Sequence, residues 1–166
     1  HAAIIINDKD EGNKILDLPQ KDSFLDSSLY YEKSLGTTIL ALVYDGGVML
    51  AADARTSSGV YVANRVADKI WPLTSNIFAL KCGTASDTQF LLQTTKGYMN
   101  NFEVEYGDKP PVKVAARILQ QFQYKYKDYL NGALIVAGVD NLEGPCIYDV
   151  GSGGTVTKRI IAMNGS

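Results

Sequence analysis

Strand-like segments, then two helical segments, then strands again predict an α+β protein in which one sheet packs on another and helices cover the outside. Three observations carry that expectation. The first strands are short, nearly continuous apolar runs, the pattern of strands buried on both faces. Apolar residues then recur at helical spacing between residues 84 and 131. After Gly132, apolar runs return, separated by glycine-rich turn signals.

The elements follow in order. Residues 1–36 carry seven acidic and four basic residues, with apolar islands at Ile4 to Ile6, Ile15-Leu16 and Leu29 to Tyr31. This reads as a leader without a core of its own, able to lie along another surface through those islands. The chain does not begin with Met, and the leader is read as incomplete. Thr38 to Tyr44 and Val48 to Ala52 flank Asp45-Gly46-Gly47, a tight-turn signal, and predict a hairpin buried on both faces. A looser stretch, Arg55 to Lys69, precedes a strand from Ile77 to Cys82 that stops at Gly83.

Thr84 to Asp87 offer capping groups, after which Phe90, Leu91, Thr94, Tyr98 and Phe102 recur at helical spacing, with Gly97 a weak point in the middle. Beyond Gly107 to Pro111, a second helix places Val112, Ala115, Ala116, Leu119, Phe122, Tyr126 and Leu130 on one stripe and ends at Asn131-Gly132. Strands are predicted at Ala133 to Val139, Cys146 to Val150 and Thr155 to Met163. The chain stops just after a strand, so the fold is expected to be unfinished at this end too.

Composition narrows the function classes. A 166-residue chain with 46% apolar and 20% charged residues is one domain in size and reads as globular. A net charge of -2 argues against nonspecific nucleic-acid binding, and no apolar run is long enough to suggest a membrane helix. Two cysteines, Cys82 and Cys146, do not make a disulfide scaffold, so an intracellular home is the expectation. The only histidine is His1, at the very end of the chain. An internal Ser-His-Asp triad, Cys-His pair or His-rich zinc site therefore has no imidazole to use. No cofactor or metal is expected.

A hydroxyl is a poor nucleophile until a base takes its proton. An N-terminal threonine carries its own base, because an α-amine has a reference pKa of about 7.7–8.0. Cutting between Gly36 and Thr37 would create that amine, and Gly36 lacks the Cβ that would shield its carbonyl from the Thr37 hydroxyl. By itself, Gly36-Thr37-Thr38 also fits an ordinary join of loop to strand. Asp53 follows the apolar run ending at Ala52, and Lys69 precedes Ile70-Trp71. An ammonium near Thr37 would favour its alkoxide, and a carboxylate beside that ammonium would aim it. Taken singly, both residues also fit surface caps of strands. Gly83 fits either a turn before a helix or a backbone N–H left open to an oxyanion.

GTTILALVYDGGVMLAADARTSSGVYVANRVADKI followed by CGTASDTQ resembles the start of a proteasome beta subunit, and ANRVADKI with ASDTQ is most similar to the caspase-like (beta-1) type. The likeness runs from Gly36 to Ser166. It implies the four-layer αββα sandwich of N-terminal nucleophile hydrolases, residues 37–166 forming an incomplete domain behind the propeptide 1–36. It also implies threonine-dependent peptide-bond hydrolysis inside stacked seven-membered rings of alpha and beta subunits, in cytoplasm and nucleus.

Carried over by position, Thr37 matches the nucleophile, Gly36 the residue before the autolytic cut, Asp53 and Lys69 the charged pair, and Gly83 the oxyanion-hole glycine. Ser166 falls on a serine that supports the nucleophile's amine. Ser57 and Ala85 match positions that align an extended polypeptide substrate as an added strand. Lys81 stands where caspase-like subunits usually carry arginine, at the floor of the pocket for the residue before the cut. A cation there favours Asp or Glu, with a weaker grip than a planar fork provides.

The resemblance further implies elements beyond Ser166: another serine in that turn, an aspartate near the nucleophile, two helices and closing strands. With the leader attached, Thr37 has no free amine, so the expected species is an inactive precursor in assembly, with assembly chaperones as candidate partners. A non-catalytic structural beta subunit is the alternative. A third reading, a binding module with Gly151-Ser152-Gly153-Gly154 cradling phosphate, suffers because no Lys-Ser/Thr follows that loop and no helix does.

Overall fold

The computed structural model describes residues 2–7, 14–17, 37–53 and 69–165. The elements are β1 (Ala2–Asn7), β2 (Lys14–Asp17), β3 (Thr38–Tyr44), β4 (Gly47–Ala52), β5 (Ile70–Pro72), β6 (Ile77–Gly83), α1 (Ala85–Tyr106), α2 (Val112–Lys125), β7 (Gly132–Asp140), β8 (Gly144–Val150), β9 (Val156–Arg159) and β10 (Ile161–Gly165). They build two five-stranded sheets, ordered β10-β3-β4-β1-β2 and β5-β6-β7-β8-β9. Every strand pairing in them is antiparallel.

Alternation along the strands produces two cores. Ile39, Ala41, Val48 and Leu50 face Leu80, Ile135, Ala137 and Ile147 between the sheets. On the other side of the second sheet, Ile77, Ala79, Leu134 and Val136 pack under Leu91, Leu92, Met99, Ala115 and Leu119 of the two helices. Each fully buried Leu or Ile contributes about 1.5–3 kcal/mol relative to exposure. The described residues thus form three layers: helices, sheet, sheet.

The first hairpin forms where predicted, but only one of its faces is fully buried. On the face away from the second sheet, Leu40, Leu42, Met49 and Ala51 are half-buried, and Ile161 and Met163 of β10 are exposed. Among the described residues no helix covers them. The first two leader islands join this sheet as β1 and β2, and Leu29 to Tyr31 lies outside the described residues. β1 pairs with β4 in the register Ile4↔Leu50, and Ile6 enters the core between the sheets with Ile4 packed against it.

Three sequence-based expectations are corrected. In α1 the buried residues are Thr88, Leu91, Leu92, Thr95 and Met99, while Phe90 and Tyr98 lie outside. Threonine can line this core because the Thr88 hydroxyl donates to the Thr84 carbonyl at 3.0 Å and that of Thr95 to Leu91 at 2.8 Å, leaving their methyls for packing. Thr84 itself makes no side-chain cap. In α2 the stripe holds through Leu119, Phe122 packs half-buried against the same core beside a fully buried Gln123, and the helix ends at Lys125. The Gln123 amide donates to the Gly132 carbonyl at 3.2 Å, which explains a glutamine in that position.

The third correction concerns Thr155 to Met163. The chain bends at Ile160 and crosses from one sheet to the other, so that β9 pairs with β8 and β10 with β3. The crossover delivers the chain beside Thr37, with Gly165 in register with Thr38. The short β5, not anticipated as a strand, pairs with β6 and positions Lys69.

Candidate active site

Asp53 directly follows β4, and its backbone N–H donates to the Thr38 carbonyl at 3.0 Å, extending the β3–β4 ladder by one rung. Its carboxylate oxygen Oδ1 turns back to accept the N–H of Thr38 at 3.2 Å. The same oxygen lies 2.5 Å from Lys69 Nζ. Lys69 is 7% exposed, so its ammonium has left bulk water, and Asp53 supplies a compensating charge. The pair joins the two sheets and is tied to the peptide unit that directly follows Thr37.

Thr37 is half-buried at the head of β3. A Cβ on Gly165 would sit 2.5 Å from the Thr37 carbonyl oxygen, so only glycine lets β10 pass this close.

Lys81 and Lys69 share a rung of the second sheet, the Lys81 N–H donating to the Lys69 carbonyl at 3.0 Å. Two residues on, Gly83 is exposed and has φ +112. A Cβ there would lie 2.7 Å from Gly132 Cα and 2.9 Å from the Asn131 carbonyl oxygen. Backbone conformation and space therefore both demand glycine. Ala85 opens α1 immediately after, and the Thr84 N–H donates to Asn131 O at 3.0 Å, holding the strand-to-helix turn.

Of the residues singled out in the sequence, the structure joins Asp53 directly to Lys69 and to the backbone of Thr38, the neighbour of Thr37. Lys81, Gly83 and Ala85 follow on one strand and the turn after it. Gly36, Ser57 and Ser166 lie outside the described residues. Two residues near the site were missed: Gly165, which only the β10–β3 register reveals, and Trp71. A signal for Trp71 existed, since alternation along β5 puts it on the face opposite Ile70, under the helices.

Other nucleophile candidates fall away. Cys146 is 1% exposed, and burial pushes its thiol up to about 12, so thiolate is scarce at neutral pH. The Gly151 to Gly154 loop closes on itself, the Gly151 N–H donating to Thr155 O at 2.9 Å and the Gly154 N–H to Gly151 O at 3.1 Å. Amides bonded in this way are not offered to a phosphate, and the loop is the turn between β8 and β9. Among the described residues no cluster of His, Cys, Asp or Glu could hold a metal, and no helix is long and apolar enough to cross a membrane.

Two antiparallel sheets under a helical layer, with a threonine followed by a buried lysine–aspartate pair, define the N-terminal nucleophile hydrolase type of fold. A profile of proteasome subunits matches residues 33–166, and the chain belongs to the proteasome subunit family. It is 40% identical over 142 residues to proteasome subunit beta type-6 of Arabidopsis thaliana, covering 86% of this chain and 61% of that protein. It is 42% identical over 135 residues to a probable proteasome subunit beta type-1 of Schizosaccharomyces pombe, covering 81% and 60% respectively. Human proteasome subunit beta type-9 is 37% identical over 135 residues, covering 81% and 61%. The chain thus spans about three fifths of the length of the curated relatives it matches.

Proposed function

We propose that this chain is the precursor of a threonine endopeptidase subunit of the proteasome, of the caspase-like type, which becomes active after autolysis between Gly36 and Thr37. The observation that carries the reading is the position of Asp53 Oδ1, bonded at once to Lys69 Nζ and to the N–H of Thr38. Besides tying the two sheets together, the pair holds an ammonium and a carboxylate at the peptide unit that follows Thr37, where a nucleophilic threonine needs them.

In this reading the freed α-amine of Thr37 takes the hydroxyl proton, directly or through a water, and the oxygen attacks the scissile carbonyl carbon. Lys69 favours the alkoxide electrostatically, with Asp53 holding it in place. The N–H of Gly83 receives the developing oxyanion, and its φ of +112 keeps the approach free of a side chain. The proton then passes to the leaving amine, an ester on Thr37 remains, and water hydrolyses it. Ser57 and Ala85 align the polypeptide as an added strand, Ser166 supports the amine, and Lys81 selects an acidic residue before the cut. Partners are the other alpha and beta subunits of the stacked rings, with assembly chaperones while the leader persists, in cytoplasm and nucleus.

The test is made in assembled particles. A threonine-directed covalent inhibitor should label Thr37, and Thr37→Ala should abolish cleavage after acidic residues while the other activities persist. Absence of labelling together with undiminished acidic cleavage in the variant would favour the structural subunit instead.

A further inference from the structure

β1 comes from the leader, yet it completes the first sheet. It lies antiparallel to β4 over six residue pairs, from Ala2↔Ala52 to Asn7↔Gly47, and β2 pairs with it on the other side. Without this hairpin the described sheet would end at β4, which would then present an unpaired row of N–H and C=O groups along Gly47–Ala52. Native proteins cover or blunt an open edge of that kind.

Two contacts make the fit specific. Ile6 is 2% exposed and sits between the sheets with Val48, Leu50, Leu80 and Ile135, and Ile4 packs against the same core. A side chain at Gly47 would run into the Ile6 carbonyl oxygen, so β1 passes this close only because residue 47 is glycine. Main-chain pairing together with alternate side chains set into pockets is how a strand added to a sheet edge is held.

The register also decides what a cut would release. Ile39, Ala52, Ala2 and Asp17 stand in one row across β3, β4, β1 and β2. β2 therefore ends at the rim where β3 begins, three strand spacings or about 14 Å away. The nineteen residues 18–36 can span about 60 Å when extended. The pairing of β1 with β4 thus places no demand on the bond between Gly36 and Thr37.

We infer that the β4 edge is a docking site for the leader's own hairpin, and that residues 2–17 stay seated there as a separate fragment after the chain is cut. Its meaning for activity rests on the reading of Gly36-Thr37 as the autolytic junction: the cut frees the Thr37 amine and leaves the hairpin in the sandwich. The leader is then a lasting strand of the working molecule, with Ile4 and Ile6 as its anchors.

The experiment makes its own cut, so that its outcome does not depend on autolysis. A recognition site for a sequence-specific protease is inserted between Asp22 and Ser23 of the full chain, which is then cut under native conditions. The fragment that holds β1 and β2 should co-elute with the remainder on gel filtration and separate from it only in denaturant. Ile6→Ala, which removes a buried side chain and keeps the backbone pairing, should raise the dissociation constant of the fragment by about tenfold. Release of the parent fragment under native conditions overturns the inference, and so does an Ile6→Ala fragment held as tightly as the parent. Where Ile6→Ala does not fold, amide hydrogen exchange of the cut parent decides. The β4 amides should keep the protection they have in the uncut chain, and loss of that protection overturns the docking. A chain that keeps its hairpin but never cuts itself at Gly36-Thr37 overturns the reading of Thr37 instead and leaves the docking standing.

Discussion

Lys69 Nζ and Asp53 Oδ1 lie 2.5 Å apart, and this one contact ties the two sheets together beside the peptide bond that follows Thr37. The lysine side chain is 8% exposed and that of the aspartate 18%, so the cation is the more deeply buried partner. Removing the carboxylate takes a compensating charge away from a buried ammonium. Removing the ammonium leaves a carboxylate that still has some access to water and the Thr38 N–H.

Asp53→Ala is therefore expected to destabilise the chain by about 3 kcal/mol, at the lower end of what breaking a buried pair costs. Lys69→Met should cost less, because it buries no orphaned charge. Urea denaturation of the two variants checks the order; a Lys69→Met variant less stable than Asp53→Ala would contradict it.

Two glycines should respond in opposite directions. Gly83→Ala forces a side chain into φ +112 and onto the Gly132 backbone, and a loss of about 1–3 kcal/mol is expected. Gly97 lies inside α1, where an added Cβ would meet nothing within 4 Å, so Gly97→Ala should stabilise by about 0.5–1 kcal/mol. Thermal unfolding of both variants against the parent measures the signs.

Asp140 at the end of β7 serves three backbone groups. It accepts the Val112 N–H at 2.8 Å at the start of α2, and the N–H groups of Leu142 and Glu143 at 2.9 and 2.7 Å in the next turn. Pro111, the residue before α2, makes no side-chain cap, so Asp140 caps that helix from another strand. Asp140→Ala should cost about 3 kcal/mol. Amide hydrogen exchange should show the first turn of α2 losing protection ahead of the rest of the helix.

Asp149 on β8 supplies a pH dependence. Burial raises its pKa above the ordinary carboxylate value, against an opposing pull from Arg159, and its Oδ1 is buried with no partner among the described residues. A carboxyl whose folded pKa is raised favours the folded state while protonated, and that advantage disappears as pH rises through the folded value. Asp149→Asn should therefore gain stability over the parent at pH 7 and lose that gain near pH 4. Parallel urea titrations at the two pH values read the difference; a gain independent of pH would sink the assignment.

Much of the fold was legible because it is written in local periodicity. Asp45-Gly46 between two apolar runs specified the first hairpin, and Val112 through Leu119 specified the packed face of α2. The stripe of α1 was misread because aromatic residues look like core. There, threonines whose hydroxyls bond back to their own helix fill the interior, and Phe90 and Tyr98 stay outside. The continuous run from Thr155 to Met163 hid a crossover between sheets, since a bend at Ile160 leaves no trace in hydropathy.

From the order of residues alone came the candidate threonine behind its glycine, the absence of any internal histidine, and the types and succession of the elements, all of which depend on neighbours in the chain. Tertiary structure decided that Asp53 and Lys69 meet at the amide after Thr37, that Gly165 runs beside that threonine, and that Trp71 lies under the Lys81 ammonium. Those contacts join different segments of the chain, one of them the two sheets, and their geometry follows from strand register and sheet packing, which side-chain periodicity does not encode.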